Sequence, residues 1–412
     1  MTELLDHPTT LQAESLPVDA VPTTTATPTL NVDRPLRPAT GTGTRVRPEG
    51  ASHLSDEDVV EIGRRLDNIR AEIMGSLGQK DADYIKRMIR IQRTLELAGR
   101  ATLLFGRNKI AWTAGVAMLS TAKVLDNMEI GHNVIHGQWD WMRDPEIHSS
   151  TWEWDFVAPA DGWRHTHNDL HHTWTNVVGK DSDVGYDVLR VTDEQPWEPR
   201  FLANIPMNML IAPFFEWAIA FYDLEVPLVK DGTKPKKQFI SEVKALLGKA
   251  AKQAAKDYTA TPLLAQLVSK SGWATLAGTF AANTIRNIWA HSVIFCGHFP
   301  DGVEAFQEEV IEGECRGDWY VRQMLGSANI SGSELLHILT GNLSHQVEHH
   351  IFPDMPSNRY KEVAPKVKAI CDEYGLEYVE GPLPVQVAQS WRTIAKLSLP
   401  PKGWRPWRKA TA

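Results

Sequence analysis

Of the 15 histidines in this 412-residue chain, eight fall into three clusters: His132 and His136; His167, His171 and His172; and His345, His349 and His350. On a helix, residues i and i+4 share a face, so each cluster can aim two imidazoles at one spot. The adjacent third histidine of the second and third clusters lies about 100° further round and can serve another spot. Two HxxxHH clusters facing one HxxxH cluster would enclose a pair of metals. Imidazole suits Zn, Cu, Fe or Ni, so ligand type does not choose the metal. Ligand number says more: zinc takes four ligands, whereas eight or nine histidines imply two metals. The candidate for a ninth ligand is His298, in Phe295-Cys296-Gly297-His298. Its competitor is His291, through the spacing Asn287-x-x-x-His291. His148, His165 and His337 read as ordinary polar histidines, and His7 and His53 lie in or beside an N-terminal tail.

A rival pattern exists. Glu129-x-x-His132 and Glu334-x-x-His337 both match the Glu-x-x-His signature of carboxylate di-iron bundles. That reading leaves most of the clustered histidines without a role.

The elements that must position these residues are helical. From Ser55 to about Arg100, Val59, Ile62, Leu66 and Ile69 recur at helical spacing among charges, which predicts amphipathic helices on the cytosolic face. Three regions are markedly apolar: Ile110–Ala122 running on toward Ile135, Phe201–Tyr222 and Pro262–Cys296. A span needs roughly 20 apolar residues. The second region qualifies, the third suits one span or a tight pair, and the first has a short core. The mean hydropathy of −0.29 is low for a multi-span protein, so helices buried in a soluble fold are the alternative. Trp139, Trp141, Trp152, Trp154, Trp163 and Trp174, among the 15 tryptophans, fall between the first two apolar regions, where an interface belt would lie. The nine lysines of Leu224–Gly272 favour the cytosol. That conflicts with two successive spans joined outside, and a re-entrant 201–222 or two spans within 262–296 would resolve it.

The resulting fold class is all-α: an integral membrane helical bundle whose cytosolic helical cap carries the three clusters. Residues 1–50, with 7 prolines and 11 threonines, read as a disordered tail. The folded domain is expected over 51–405, followed by a tail over 406–412. A net charge of −8 argues against nucleic-acid binding. Cys296, Cys315 and Cys371 match no zinc or disulfide framework, which suits a reducing compartment. The N-terminal residues lack the basic and apolar regions of a signal peptide, so insertion is expected through internal segments.

With these residues in place, the sequence resembles the membrane fatty-acyl desaturase family, in particular its actinobacterial stearoyl-CoA desaturase branch. The resemblance rests on KVLDNMEIGHNVIHGQWDWMRDPEIHSSTWEWD, WRHTHNDLHHTWTNVVGKDSDVGYDVLRV, RNIWAHSVIFCGHFPDG, DWYVRQMLGSAN and SGSELLHILTGNLSHQVEHHIFPDMPSNRY. It covers most of residues 55–400. It implies metal ligation by His132, His136, His167, His171, His172, His349 and His350, with His298 as the family's isolated histidine. Spacing favours His345 as the first ligand of the third box, whereas family usage points to Gln346. Asp126, Asn168, Asp181, Asp183 and Glu348 are placed to orient the ligands, as outer groups of a metal site must. No catalytic side chain is expected beyond the ligands.

The resemblance further implies two Fe(II), O2 as co-substrate and a long-chain acyl substrate, with stearoyl-CoA and the 9 position foremost. Electrons would come from NADPH through a separate reductase, since the His-Pro-Gly-Gly haem motif of fused cytochrome b5 domains does not occur. The expected location is the cytoplasmic membrane, multi-pass, with the site on the cytosolic side. Arg143, Arg164, Lys180 and Arg190 could meet a CoA phosphate or, equally, phospholipid headgroups. The alternatives are a linoleoyl-CoA 6-desaturase-like regiochemistry, a fatty-acyl or alkane hydroxylase using the same irons, and a non-catalytic metal store.

Overall fold

The computed structural model describes residues 45–402. The tail expected over 406–412, and residues 1–44 of the one expected over 1–50, lie outside the described residues. Within 45–50 the chain is already tied to the body: Arg47 Nε lies 3.4 Å from Asp318 and the Gly50 N–H donates to Glu304 at 2.8 Å.

Helix α1 (Asp56–Gly75) starts at a capping box, with the Asp58 N–H donating to Ser55 Oγ and the Ser55 N–H donating to Asp58. It is followed by a hairpin of α2 (Gln79–Leu103) and α3 (Lys109–Leu125). A second hairpin is built from α4 (Lys236–Ala254), a π-helical stretch Ala255–Ala260, α5 (Thr261–Ser269) and α6 (Gly272–His298). Left-handed Lys270 (φ 59°) makes the break between α5 and α6, so the third apolar region is a tight pair of helices. The hairpin tips are joined: the Arg107 N–H donates to Ser271 Oγ at 3.3 Å and the Trp112 indole to the Ala274 carbonyl at 2.9 Å.

The second apolar region lies in Pro199–Lys230, the one stretch among the described residues long and apolar enough to cross a membrane. It is a chain of short pieces, Asn204–Ile211, Ala212–Phe214 and Phe215–Tyr222, interrupted around Pro213. The remaining helices used below are α7 (Arg316–Leu325), α8 (Gln346–Ile351), α9 (Tyr360–Tyr374) and α10 (Leu383–Leu397). The described residues are predominantly helical, but the all-α reading misses one small parallel sheet, β1 (Ala328–Ser331) beside β2 (Val379–Pro382), with Ala328 opposite Val379. The sheet has a purpose for the site. Asn329 on β1 accepts from the Val347 N–H and donates to Glu348, which pins the start of α8.

Two expectations change. Three of the six tryptophans do not fit a belt: Trp139, Trp154 and Trp163 are buried in the core, because their flat apolar rings fill the space between the helices and the histidine clusters. The bundle interior is also more ionic than the apolar segments suggest. Buried Lys123 of α3 pairs with Asp257 at 2.9 Å, and Asp257 with Arg100 of α2 at 2.7 Å. Arg286 of α6, fully buried, pairs with Glu216 at 2.8 Å. Each charge taken from water has a partner here, as burial demands.

Helix α1 buries Val59, Ile62, Leu66 and Ile73 and crosses α7 where Gly63 faces Gly317. A Cβ on Gly317 would stand 2.0 Å from the Val59 carbonyl oxygen, whereas one on Gly63 would meet Gly317 Cα at 3.1 Å. Backbone cannot yield as a side-chain tip can. Gly317→Ala is therefore expected to cost about 1–3 kcal/mol and more than Gly63→Ala, measured by denaturant melts. Equal stability of the two variants would show that α1 and α7 do not meet in this way.

Candidate metal centre

The first two histidine clusters sit on π-helical turns. Asp126–His132 continues α3 and carries His132; Arg164–His171 carries His167 and His171. Such wide turns are rare and concentrate at functional sites. His349 and His350 of the third cluster are on α8, and His298 ends α6.

These elements bring seven imidazoles into two groups in which the candidate ligand atoms lie within 4.8 Å of one another. One group is His132, His136, His167 and His349; the other is His171, His298 and His350. His172 stands between them, its ring 4.4 Å from that of His350 and 4.6 Å from that of His136. All eight are buried.

Six of the eight rings are held from behind through Nδ1. His167 meets Asp183 at 3.0 Å and His171 meets Asp181 at 2.9 Å. His132 meets Asn133 at 3.1 Å, His298 the Gly326 carbonyl at 3.2 Å, His349 Tyr360 Oη at 3.1 Å and His350 Gln323 Oε1 at 3.0 Å. The opposite nitrogens face inward. Nε2 of His136, His167, His171 and His349, and both nitrogens of His172, are buried without a hydrogen-bond partner. Buried polar atoms are normally satisfied, so a convergent set of orphaned lone pairs fits a bound cation. Burial pushes the pKa of His136, His167, His172, His349 and His350 well below the ordinary value, which keeps them in the neutral, ligating form. At His171 burial acts in the same sense, but Asp181 and Asp183 outweigh it and raise the pKa. A metal cation would replace that proton.

His345 is not brought into either group. Its ring stacks on His337, with centroids 4.8 Å apart. The HxxxHH argument requires one continuous helix, but His345 closes a 3-10 turn with φ −106° and ψ 55°, and the helix begins at Gln346. Gln346 therefore takes the inward position, its Nε2 3.0 Å from His298 Nε2 and 3.1 Å from His350 Nε2. Room for it comes from Gly297, where a Cβ would lie 2.9 Å from the Gln346 side chain. His291 bonds Asn208 at 2.8 Å and stacks on Phe295, leaving His298 as the histidine of α6 in the centre.

Among the outer residues, Asp181 and Asp183 touch ligand candidates, and Asn168 donates to the Ile135 carbonyl beside the first cluster. Asp126 and Glu348 are not bonded to these histidines. Asp126 accepts from the Asp155 N–H, and Glu348 from the side chains of Asn329 and Tyr378, so neither holds an imidazole. Glu129 accepts from Tyr84, Ser357 and Asn342, and Glu334 pairs with Lys361, so the carboxylate di-iron pattern finds no support. Of the cations considered for phosphate, Arg190 is buried and spent on the Gln195 and Asp193 carbonyls. Arg164 holds the Ser149 carbonyl, Lys180 pairs with Glu308 at 3.2 Å, and Arg143 is exposed.

Three contacts lay beyond sequence reasoning. Tyr360 and Gln323 reach the histidines of the third cluster from other helices, and Trp163 lies flat on His167 with centroids 4.0 Å apart. No spacing rule links them to the boxes, although all three fall in the stretches that carry the family resemblance.

Residues 110–382 match the fatty acid desaturase family model. The chain is 47% identical over 355 residues to the NADPH-dependent stearoyl-CoA 9-desaturase of Mycobacterium tuberculosis, an alignment covering 85% of this chain and 82% of the relative. It is 25% identical to the sn-1 linoleoyl-lipid 6-desaturase of a Synechocystis strain over 64% of this chain and 74% of that protein. An acyl-lipid 8-desaturase of Rebecca salina is 29% identical over 57% of this chain and 51% of its own length. With that match across most of its helical body, the chain belongs to the fatty acid desaturase family.

Proposed function

We propose that the chain inserts a double bond into a long acyl chain, stearoyl-CoA at the 9 position being the substrate the relatives favour, using O2 and a pair of irons. The observation that carries this reading is the pair of buried imidazole groups whose candidate ligand nitrogens converge, several of them without a hydrogen-bond partner. His132, His136, His167 and His349 would hold one iron, His171, His298 and His350 the other, and His172 stands where it can serve either. When bound, the metal pair supplies the O2-activating chemistry that breaks unactivated C–H bonds, which no side chain can do. Overall, O2, two electrons, two protons and two hydrogens from adjacent carbons give one alkene and two waters.

The protein's own residues have narrower tasks. Asp183 and Asp181 hold the rings of His167 and His171 by Nδ1 and so fix which nitrogen faces the centre. Trp163, flat on His167, closes that side of the centre to water. The electrons would come from NADPH through a separate reductase, in keeping with the name of the mycobacterial relative.

The same reading places a single catalytic unit over 51–405 in the cytoplasmic membrane, multi-pass, with the histidines on the cytosolic side. Its support is the exposed apolar surface. Phe105, Ile110, Leu267 and Trp273 crowd the joined hairpin tips, and Leu202, Leu210 and Phe221 line Pro199–Lys230. Such patches mark membrane or partner contact.

Expression in a host lacking unsaturated fatty acids, with a suitable reductase, should yield a new alkene located by gas chromatography at the 9 position of an 18-carbon chain. An alcohol in its place would identify a hydroxylase, and iron occupancy with no acyl oxidation would sink the desaturase reading. In the purified protein, His171→Ala and His298→Ala are each expected to lose metal and activity, whereas His345→Ala should keep the full metal content by mass spectrometry. Asp181→Leu should weaken metal binding about 10–100-fold in a Co(II) titration; an unchanged titration would remove Asp181 from the support of the site.

A further inference from the structure

His349 and His350 are neighbours in sequence but belong to different imidazole groups. We infer that each is set for its own metal by a separate positioning residue, Tyr360 for His349 and Gln323 for His350, so that the two metal sites can be weakened independently. The inference rests on the two-metal reading above.

Hydrogen accounting carries the case. Tyr360 Oη has one proton, and the Phe352 carbonyl at 3.1 Å, a pure acceptor, takes it. Gln138 Nε2 donates to the same oxygen at 3.0 Å and to the Pro353 carbonyl at 3.2 Å, while its Oε1 accepts from the Ser357 N–H at 2.9 Å, which fixes the amide's orientation. Tyr360 Oη can therefore only accept from His349, so Nδ1 carries the proton and Nε2 presents a lone pair to the first group.

The same logic holds for His350. Gln323 Nε2 donates to the His172 carbonyl at 3.1 Å, so its Oε1 is the atom that faces His350 Nδ1. Thr175 Oγ1 donates to the His171 carbonyl at 2.8 Å and thus also accepts from His350 Nδ1, more weakly placed at 3.2 Å. His350 Nδ1 is protonated, and Nε2 presents its lone pair to the second group, where Gln346 Nε2 lies 3.1 Å away. Gln323 and Tyr360 are both fully buried. Each also ties two clusters: Tyr360, through Gln138, links the first to the third, and Gln323 links the second to the third.

The test is metal content and Co(II) absorption of the purified full chain, with thermal melting as a control for folding. Wild type should bind two metals. Tyr360→Phe and Gln323→Leu should each retain one tight metal, the other weakened about 10–100-fold. Tyr360→Phe added to His171→Ala should lose the remaining metal, whereas added to His132→Ala it should change nothing further. Gln323→Leu should show the reverse dependence, the pattern of site-specific coupling. Gln323→Glu keeps an acceptor for His350 and should restore the second metal even if Gln323→Leu folds poorly. A wild type that holds no metal pair would overturn the two-metal reading and this inference together. Two metals in wild type, with both variants weakening both sites equally or neither site at all, would overturn this inference alone.

Discussion

The constraint on which the rest of the structure depends is that eight imidazoles are buried together with their inward nitrogens facing one another. Neutral rings with opposed lone pairs have no reason to assemble unless something holds each ring from behind. Here the holders are varied: two aspartates, an asparagine, a glutamine, a tyrosine and a backbone carbonyl. They come from the loop after the second cluster, from the first cluster itself, from α7 and from α9. A site built this way cannot form until distant parts of the chain are docked, and the surrounding packing is understandable as the means of docking them. The close crossing of α1 on α7 and the strand pairing that brings Asn329 to the start of α8 both act on elements that hold ligands.

Six of the eight boxed histidines that spacing singled out belong to the two groups, and His172 stands between them, because short i to i+4 repeats keep their meaning even on the wide turns of 126–132 and 164–171. His345 shows where the reasoning stops. Whether it shares a face with His349 depends on where the helix begins, and that is decided by Asn342 in the left-handed region and by the hold of Asn329 on Val347, neither of which is a spacing. Asp181 and Asp183 were legible only through the family resemblance, and the loop after the second cluster brings them to His171 and His167. Tyr360 and Gln323 were not, because their contacts with the histidines depend on how α7 and α9 dock rather than on any local repeat. Trp139, Trp154 and Trp163 show a related limit: a count along the sequence cannot tell an interface from a core that needs large rings.

Low overall hydropathy and a set of apolar segments are reconciled by where the charges go. Lys123, Arg100, Asp257, Arg286 and Glu216 all lie on or against the helices of the hairpins, yet they turn inward and pair. In the proposed membrane reading, lipid would meet Leu267, Trp273 and Phe280 rather than these ions. A hydropathy average counts both faces of a helix and so undercounts the apolar one. The third π-helical stretch, Ala255–Ala260, lies in the same network, and its wide turn carries Asp257, which is held between Lys123 and Arg100.

The two His-His pairs explain why the centre has two groups rather than one. Adjacent helical residues point about 100° apart, and the paired rings follow: His171 and His172 have planes 78° apart, His349 and His350 80° apart. The centroids within each pair are 5.4 and 5.6 Å apart. His349 and His350 fall in different groups, and His172, unlike His171, stands between the two. Divided ligands on two facing elements make two sites side by side, separated by little more than a ring. In the proposed two-metal reading, the doubled histidine is the feature that turns a metal site into a metal pair, and the residues behind the held rings determine how rigidly that division is kept.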